Sequence, residues 1–165
     1  MFRADELLLA LTRADIRFVI IGGIAVGVHG YVRATRDLDI VPDPDRANLA
    51  RLAHVLAAIE AEHVGVGDFS PREFPFDPLD PDQLAQGANF RLNTSLGALD
   101  IMQWIAGIDA DPAYPALARD AIKVTFRGHK LLVAGFDHLR AMKIAAGREQ
   151  DLLDLRELER RRGPP

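Results

Sequence analysis

The sequence predicts an α+β fold, in which a small mixed β-sheet is flanked by helices before, between and after its strands. Short apolar and β-branched runs, such as 17–21, are typical of buried strands. Longer stretches, such as 45–63, place leucine and isoleucine at the spacing of one helix face. The 165 residues are 48% hydrophobic and contain no internal repeat. We therefore expect a single domain, with a core of about 15–135 and C-terminal helices at about 136–162.

The N-terminal half should alternate helices and strands. Residues 4–13 carry acidic residues in their first turn and then an amphipathic pattern, which is typical of a helix. In chain order there follow a strand at 17–21, a helix at 22–31, a strand at 37–41 stopped by Pro42, and a helix through 63 that starts at Asp43-Pro44. Residues 64–87 contain four prolines and three glycines, so we expect a long loop there.

The C-terminal half should add two strand pairs and two helices. The predicted strand pairs are a hairpin within 88–103 around the turn at 94–97, and 121–127 with 130–133 across Gly128-His129. A helix capped by Asp137 should run to Ala146 and end at Gly147, and a last helix should cover 149–161.

Composition excludes several classes of protein. The chain has no cysteine, which rules out disulfides, thiolate zinc sites and cysteine nucleophiles. No apolar run approaches the ~20 residues that span a bilayer, and the first 15 residues lack a leader cleavage pattern, so we expect a cytoplasmic protein without a membrane partner. The net charge of −4 argues weakly against extensive nucleic-acid binding. We interpret the arginines at 156 and 160–162 as a solvated helix end, although they could touch a phosphate backbone.

Two acidic residues mark the strand at 37–41 as a candidate site. Asp37 and Asp39 flank Leu38, so both carboxylates should project from one face while Leu38 and Ile40 point into the core. Two adjacent like charges are unfavourable unless a cation lies between them, and a divalent metal with oxygen ligands is the usual solution. This pattern indicates metal-assisted phosphoryl or nucleotidyl transfer.

A third acid and a glycine pair extend the candidate site. Asp100 stands within another apolar strand, and a strand beside 37–41 would bring all three carboxylates to one edge. Three carboxylates can hold two Mg²⁺ ions, which the all-oxygen ligand set favours over zinc. Gly22 and Gly23, at the turn from strand to helix, offer bare backbone N–H groups to a triphosphate.

These residues together resemble a known superfamily. Gly22-Gly23, the run from Arg33 through Thr35 to Asp37 and Asp39, and then Asp100 resemble the nucleotidyltransferase superfamily, which has the fold of polymerase beta. The R-x-T-x-D-x-D form is similar to its AbiEii/MenT-like toxin branch and uncharacterised relatives. The segment 143–154 is also similar to that branch's K-x-x-A-x-R-x-K-D-x-x-D pattern.

The resemblance implies an activity and roles for particular residues. Asp37 and Asp39 would bind metal, and Asp100 would be a metal ligand or the base toward the acceptor hydroxyl. Gly22 and Gly23 would cradle phosphates. Lys143 would contact the triphosphate and Asp151 would lie near the nucleotide. The implied reaction moves a nucleoside monophosphate from ATP, GTP or another nucleoside triphosphate to an RNA such as a tRNA 3′ end, a protein or a small molecule, in a toxin that an antitoxin partner controls.

Alternatives remain open at this point. Gln150 replaces the usual lysine, and the chain ends soon after the last motif, so a catalytically degenerate nucleotide- or partner-binding module is the second hypothesis. Asp37 and Asp39 could instead be a strand-edge pair balanced by Arg33 and Arg36, and segment 143–154 could be an ordinary salt-bridged helix pair. A dinucleotide fold is disfavoured because G-x-G-x-x-G is absent. We expect contacts to the acceptor from the loop at 64–87, and a structural role for His29.

Overall fold

A computed structural model describes residues 2–64 and 75–162. The predicted fold class is confirmed: helices flank one mixed seven-stranded sheet. The elements are α1 (Ala4–Arg13), β1 (Phe18–Ile20), α2 (Gly22–Val28), β2 (Asp37–Pro42), α3 (Arg46–Ala58), β3 (Glu62–His63), α4 (Pro81–Leu84), β4 (Phe90–Thr94), β5 (Gly97–Ile101), α5 (Tyr114–Arg119), β6 (Ile122–Phe126), β7 (His129–Val133), α6 (Phe136–Ala146) and α7 (Glu149–Arg162).

The strand order in the sheet is β3-β4-β5-β2-β1-β7-β6. Two of the neighbouring pairs are parallel, β2 with β5 and β1 with β7, and the others are antiparallel. β2 lies between β5, to which it is parallel, and β1, to which it is antiparallel. These two pairings determine which side chains lie beside the acids of β2. None of the helices in the described parts of the chain is long and apolar enough to cross a bilayer.

Alternation along β2 and β5 separates the core from the polar face. Leu38 and Ile40 on β2 and Leu99 and Ile101 on β5 are fully buried, as the apolar pattern predicts. They join leucines of α1 and α3 in one core cluster. Burying this layer fixes the register of both strands, because a slip by one residue would bury the acids instead.

Several predicted boundaries were wrong, each for a local reason. The helix expected from Asp43-Pro44 begins at Arg46, since Asp45 caps it by accepting a hydrogen bond from Asn48 N at 3.0 Å. Asp43 instead pairs with Arg17. Asp137 does not cap α6, because the N-cap is Gly135, two residues earlier, and Asp137 lies in the first turn. Gly147 does end that helix, in the left-handed conformation.

The sequence patterns missed three short elements and overextended two helices. The helix expected over 22–31 ends at Val28, and the helix expected through 63 ends at Ala58, with residues 62–63 in β3. α4, β3 and α5 were not predicted, since two to six residues carry too little periodicity to recognise. α4 and residues 75–80 fall within the expected loop at 64–87, whereas 65–74 lie outside the described residues.

Candidate active site

The three predicted acids meet on one face of the sheet. β2 and β5 run parallel with Asp39 directly opposite Asp100, and Asp37 lies two residues away on the same face. Each of the three offers a carboxylate oxygen, and these oxygens all lie within 4.8 Å of one another. All three side chains are partly buried. The structure therefore brings together the acids that the sequence placed on two separate strands.

Burial and neighbouring charges raise the proton affinity of Asp39 and Asp100. Burial, together with the neighbouring charges of Asp37 and Asp100, raises the pKa of Asp39 to about 6. Burial also raises the pKa of Asp100, although the guanidinium of Arg91 opposes the shift from 3.5 Å. A site that disfavours its own negative charges in this way gains most from a bound cation.

The residues fit a divalent metal. The donors are carboxylate oxygens only, which suits Mg²⁺ or Mn²⁺ rather than zinc. Among the described residues, no hydrogen bond engages the carboxylate of Asp39, so its oxygens are available as ligands.

The glycine turn is packed against these acids. Gly22 has φ +64°, and a Cβ atom there would lie 2.6 Å from Cγ of Asp39. A Cβ atom on Gly23 would lie 2.7 Å from Oγ1 of Thr35. Both positions therefore leave no room for a side chain, and the left-handed backbone at Gly22 favours glycine as well. The two predicted phosphate-binding glycines lie beside the acids.

The segment that leads into β2 is anchored at both ends. Thr35 Oγ1 donates a hydrogen bond to Asp37 Oδ1 at 3.0 Å, which orients that carboxylate. Arg33 makes its direct contacts with Asp154 of α7, at 2.7 and 2.9 Å, and not with the acid pair as one alternative held, although its charge is still attracted to Asp37. These contacts position the acids without neutralising them.

Lys143 and Asp151 belong to a buried ion cluster next to the acids. Lys143 Nζ contacts Asp151 at 2.7 Å and Asp154 at 2.8 Å, and all three side chains are buried. Gln150 Nε2 adds a hydrogen bond to Asp154 at 2.9 Å. Burial opposes ionisation, but the hydrogen bonds from Arg33, Lys143 and Gln150 hold the pKa of Asp154 below its ordinary value.

Arg148 lies between this cluster and the three acids. Its Nε contacts Asp151 at 2.6 Å, while 77% of its side chain is exposed. It is also close enough to Asp37, Asp39 and Asp100 to interact with their charges. The sequence patterns did not single out Arg148, Arg33, Thr35 or Asp154 as site residues, although all four lie inside the quoted motifs.

His29 has the expected structural role, since its Nε2 lies 2.8 Å from the carbonyl oxygen of Ala134.

Comparison with known proteins identifies the fold. No protein-family model matches the chain, and no curated protein matches it in sequence. Among solved structures, TM1012 of Thermotoga maritima, a nucleotidyltransferase candidate, aligns with a TM-score of 0.52 at 16% identity, over 95% of this chain and 94% of that one. An antigenic nucleotidyltransferase-like protein from Paracoccidioides brasiliensis aligns with a TM-score of 0.52 at 20% identity, over 95% and 75%.

These neighbours define the class to which the fold belongs. The chain has the nucleotidyltransferase fold, as the resemblance in sequence implied. At these identities the likeness is one of architecture, and it does not reach the AbiEii/MenT-like branch.

Proposed function

We propose that this protein is a Mg²⁺-dependent nucleotidyltransferase (EC 2.7.7-like), which moves a nucleoside monophosphate from a nucleoside triphosphate to an acceptor hydroxyl. The observation that carries the proposal is the meeting of Asp37, Asp39 and Asp100 within 4.8 Å on one sheet face. The packing of Gly22 against Asp39 supports it, because it places the backbone of the glycine turn directly beside the acids.

Asp37, Asp39 and Asp100 would hold Mg²⁺ in this reaction. Bound magnesium supplies charge neutralisation on the phosphates and makes the acceptor hydroxyl more acidic. Asp100, at the edge of the cluster nearest β4, is the residue we propose as ligand or proton acceptor. The acceptor oxygen forms a bond to the α-phosphorus, the bond from that phosphorus to the bridging oxygen breaks, pyrophosphate leaves, and the hydroxyl proton passes to a carboxylate.

The contacts of Lys143 and Arg148 suggest different roles for these two side chains in binding the triphosphate. Two buried carboxylates already form ion pairs with Lys143. We therefore propose that Lys143 stabilises the arrangement of the site and attracts the triphosphate only weakly, at longer range. Arg148 has one carboxylate partner and an exposed side chain, so we propose that it contacts the phosphates directly. Asp151 then positions both cations.

The acceptor and the biological setting are proposed from the motifs alone. Their similarity to the toxin branch favours an RNA acceptor, such as a tRNA 3′ end, and control by an antitoxin in the cytoplasm. Co-expression with the product of the adjacent gene tests the last point. Relief of growth inhibition by that product supports an antitoxin, and an unchanged growth rate contradicts it.

Transfer of a labelled nucleotide tests the activity itself. The protein is incubated with each α-³²P nucleoside triphosphate, Mg²⁺ and cell extract, beside Asp39→Asn and the exposed-residue control Asp109→Asn. We expect a labelled product with the wild type and with Asp109→Asn, and none with Asp39→Asn. Identical labelling by all three proteins would refute transfer at this site.

A binding module without turnover is the second candidate. The complete pairing of Lys143 by Asp151 and Asp154 favours it, because that lysine then has little to offer a triphosphate. Nucleotide binding that is indifferent to Mg²⁺, without any labelled product, would support this candidate. A Mg²⁺-dependent product excludes it.

A further inference from the structure

A second cleft lies outside the acidic site. It has a volume of about 420 Å³, within the range of ~300–1,000 Å³ that is usual for ligand sites. The first turn of α6 and the end of α7 line it, together with His29 after α2. None of the three acids of the candidate active site borders this cleft.

Two arginines of α7 are held in this cleft by aromatic rings. The guanidinium of Arg161 lies 5.6 Å from the ring centre of Tyr31, and that of Arg162 lies 4.2 Å from the ring centre of Phe136. A guanidinium within about 6 Å of a ring centre is attracted to the face of the ring. The two cations are therefore held at the cleft before any ligand arrives.

The hydrogen-bonding capacity of these arginines is largely unused. Arg161 approaches Glu157 only to 3.8 Å and Arg162 approaches Asp137 only to 3.9 Å. Within the described parts of the chain, neither guanidinium donates a hydrogen bond. Their side chains are 43% and 62% exposed, so a ligand can reach them.

The carboxylates at the cleft do not cancel this positive charge. Asp120 is already paired with Arg119 at 2.9 Å. Asp137 has a side chain that is 97% exposed, so it stands at the rim in water, where its charge is well screened. An anion that accepts hydrogen bonds from both guanidiniums is the ligand that this arrangement fits, and phosphate has the required geometry.

One stripe of α7 connects the cleft with the candidate active site. Asp154, which anchors Arg33, and Leu158 and Arg161, which line or border the cleft, are spaced i, i+4 and i+7 and so share one helix face. Seven residues of helix correspond to about 10 Å. A ligand that runs along this helix face from the cleft to Asp154 must therefore be elongated.

We infer that this cleft binds a phosphate group of the acceptor, with Arg161 and Arg162 as the donors, while the acceptor hydroxyl reaches the three acids. The inference rests on the proposed function, since it names the acceptor class for that site. A single RNA strand has both the length and the phosphate chemistry, and a small phosphorylated acceptor shares only the chemistry.

Direct binding tests this inference without any catalysis. The affinity of the full chain for a fluorescently labelled single-stranded RNA 12-mer is measured by anisotropy in EDTA, without triphosphate. We expect the double variant Arg161→Gln/Arg162→Gln to bind about tenfold more weakly than wild type. The slope of the logarithm of its affinity against the logarithm of the salt concentration should become shallower by roughly 0.7 for each lost phosphate contact. The matched control Arg156→Gln/Arg160→Gln removes the same charge from the same helix outside the cleft, and should bind as wild type does.

Competition identifies the source of the phosphate. If millimolar AMP or inorganic phosphate displaces the RNA from the wild type but not from the cleft variant, the ligand is a small phosphorylated molecule. If neither compound displaces the RNA, the ligand is a single RNA strand. If the cleft variant and the control lose equal affinity, or neither loses any, the inference is overturned.

Two further measurements keep the test decisive. Arg161→Lys/Arg162→Lys retains charge without the planar guanidinium, so we expect about a threefold loss even if the glutamine variant is poorly folded. Mg²⁺-dependent triphosphate binding, which Asp39→Asn should abolish, is measured in parallel. Its survival in the cleft variant separates failure of this inference from failure of the proposed function.

Discussion

Gly22 and Asp39 are so close that no side chain fits between them: a Cβ atom at position 22 would lie 2.6 Å from Cγ and 3.0 Å from Cβ of Asp39. The backbone at Gly22 also has φ +64°, which L side chains rarely adopt. The glycine turn and β2, which carries two of the three acids, are therefore one packed unit.

Gly22→Ala should destabilise the protein by about 2–4 kcal/mol, because it combines a left-handed backbone with a steric conflict. It should also displace the carboxylate of Asp39 and abolish Mg²⁺ binding. Urea denaturation and calorimetric titration measure the two effects. Gly27→Ala is the control on the same helix, since a Cβ atom there meets nothing within 4 Å, and it should be neutral or stabilising by up to ~1 kcal/mol. Equal costs for the two variants would contradict the prediction.

Asp39→Asn should stabilise the metal-free protein at neutral pH. The folded pKa of about 6 exceeds the ordinary value of 3.8, so the native state binds protons more tightly and loses stability as pH rises between these values. The variant lacks this loss and should be more stable by about 1–3 kcal/mol above pH 6, with no difference near pH 4. Denaturation in EDTA from pH 4 to 8 measures it.

Adding Mg²⁺ should reverse that order. The ion should raise the unfolding midpoint of the wild type and leave Asp39→Asn unchanged, because ligands stabilise only the state that binds them. A variant that is less stable than the wild type in EDTA at pH 7 would show that Asp39 has a structural partner instead.

Asp154→Asn should cost about 3–5 kcal/mol, because it leaves the buried ammonium of Lys143 and the guanidinium of Arg33 under-compensated. The lowered pKa of Asp154 means that its contribution is present above its unfolded value and lost as pH falls through its folded value. The difference between wild type and variant should therefore shrink below pH ~4. Asp137→Asn, at an exposed carboxylate, should change stability by less than ~0.5 kcal/mol.

Arg148→Gln should weaken Mg²⁺-triphosphate binding about tenfold, at a stability cost of only ~1 kcal/mol, since Asp151 keeps its bond to Lys143. Lys143→Gln should instead cost about 3–5 kcal/mol of stability, because it removes the cation that two buried carboxylates share. Titration with a non-hydrolysable triphosphate, beside the exposed control Arg156→Gln, measures the first effect. Wild-type affinity in Arg148→Gln would place the phosphates elsewhere.

Thr35→Val should reduce Mg²⁺ affinity several-fold by releasing the carboxylate of Asp37 from its hydrogen bond, at a cost of about 0.5–1.5 kcal/mol. Thr125→Val makes the same change on the exposed edge strand β6 and should leave metal affinity intact. The two affinities are compared by titration calorimetry, and the prediction is wrong if they coincide.

Local chemistry was enough to predict much of this molecule. The alternation of Asp37, Leu38, Asp39 and Ile40 fixed which side chains share a face, because the period of a strand is two residues wherever it lies. The α+β class, the hairpin of β4 and β5 and the C-terminal helices followed from similarly local patterns. The start of α3 was predicted wrongly because Asp43 and Asp45 are both suitable N-cap residues, and Asp45 is the one that caps the helix. Capping depends on a backbone turn that the residue type alone does not specify.

Contacts between residues that are far apart in the sequence were determined only by the tertiary structure. That β5 runs parallel to β2 with Asp100 opposite Asp39, and that Arg33 meets Asp154 across 121 residues of chain, depends on the order of strands and the packing of α7. The same packing laid Arg161 over Tyr31 and formed the second cleft. Such contacts arise from burying the whole core at once, and no short-range spacing records them.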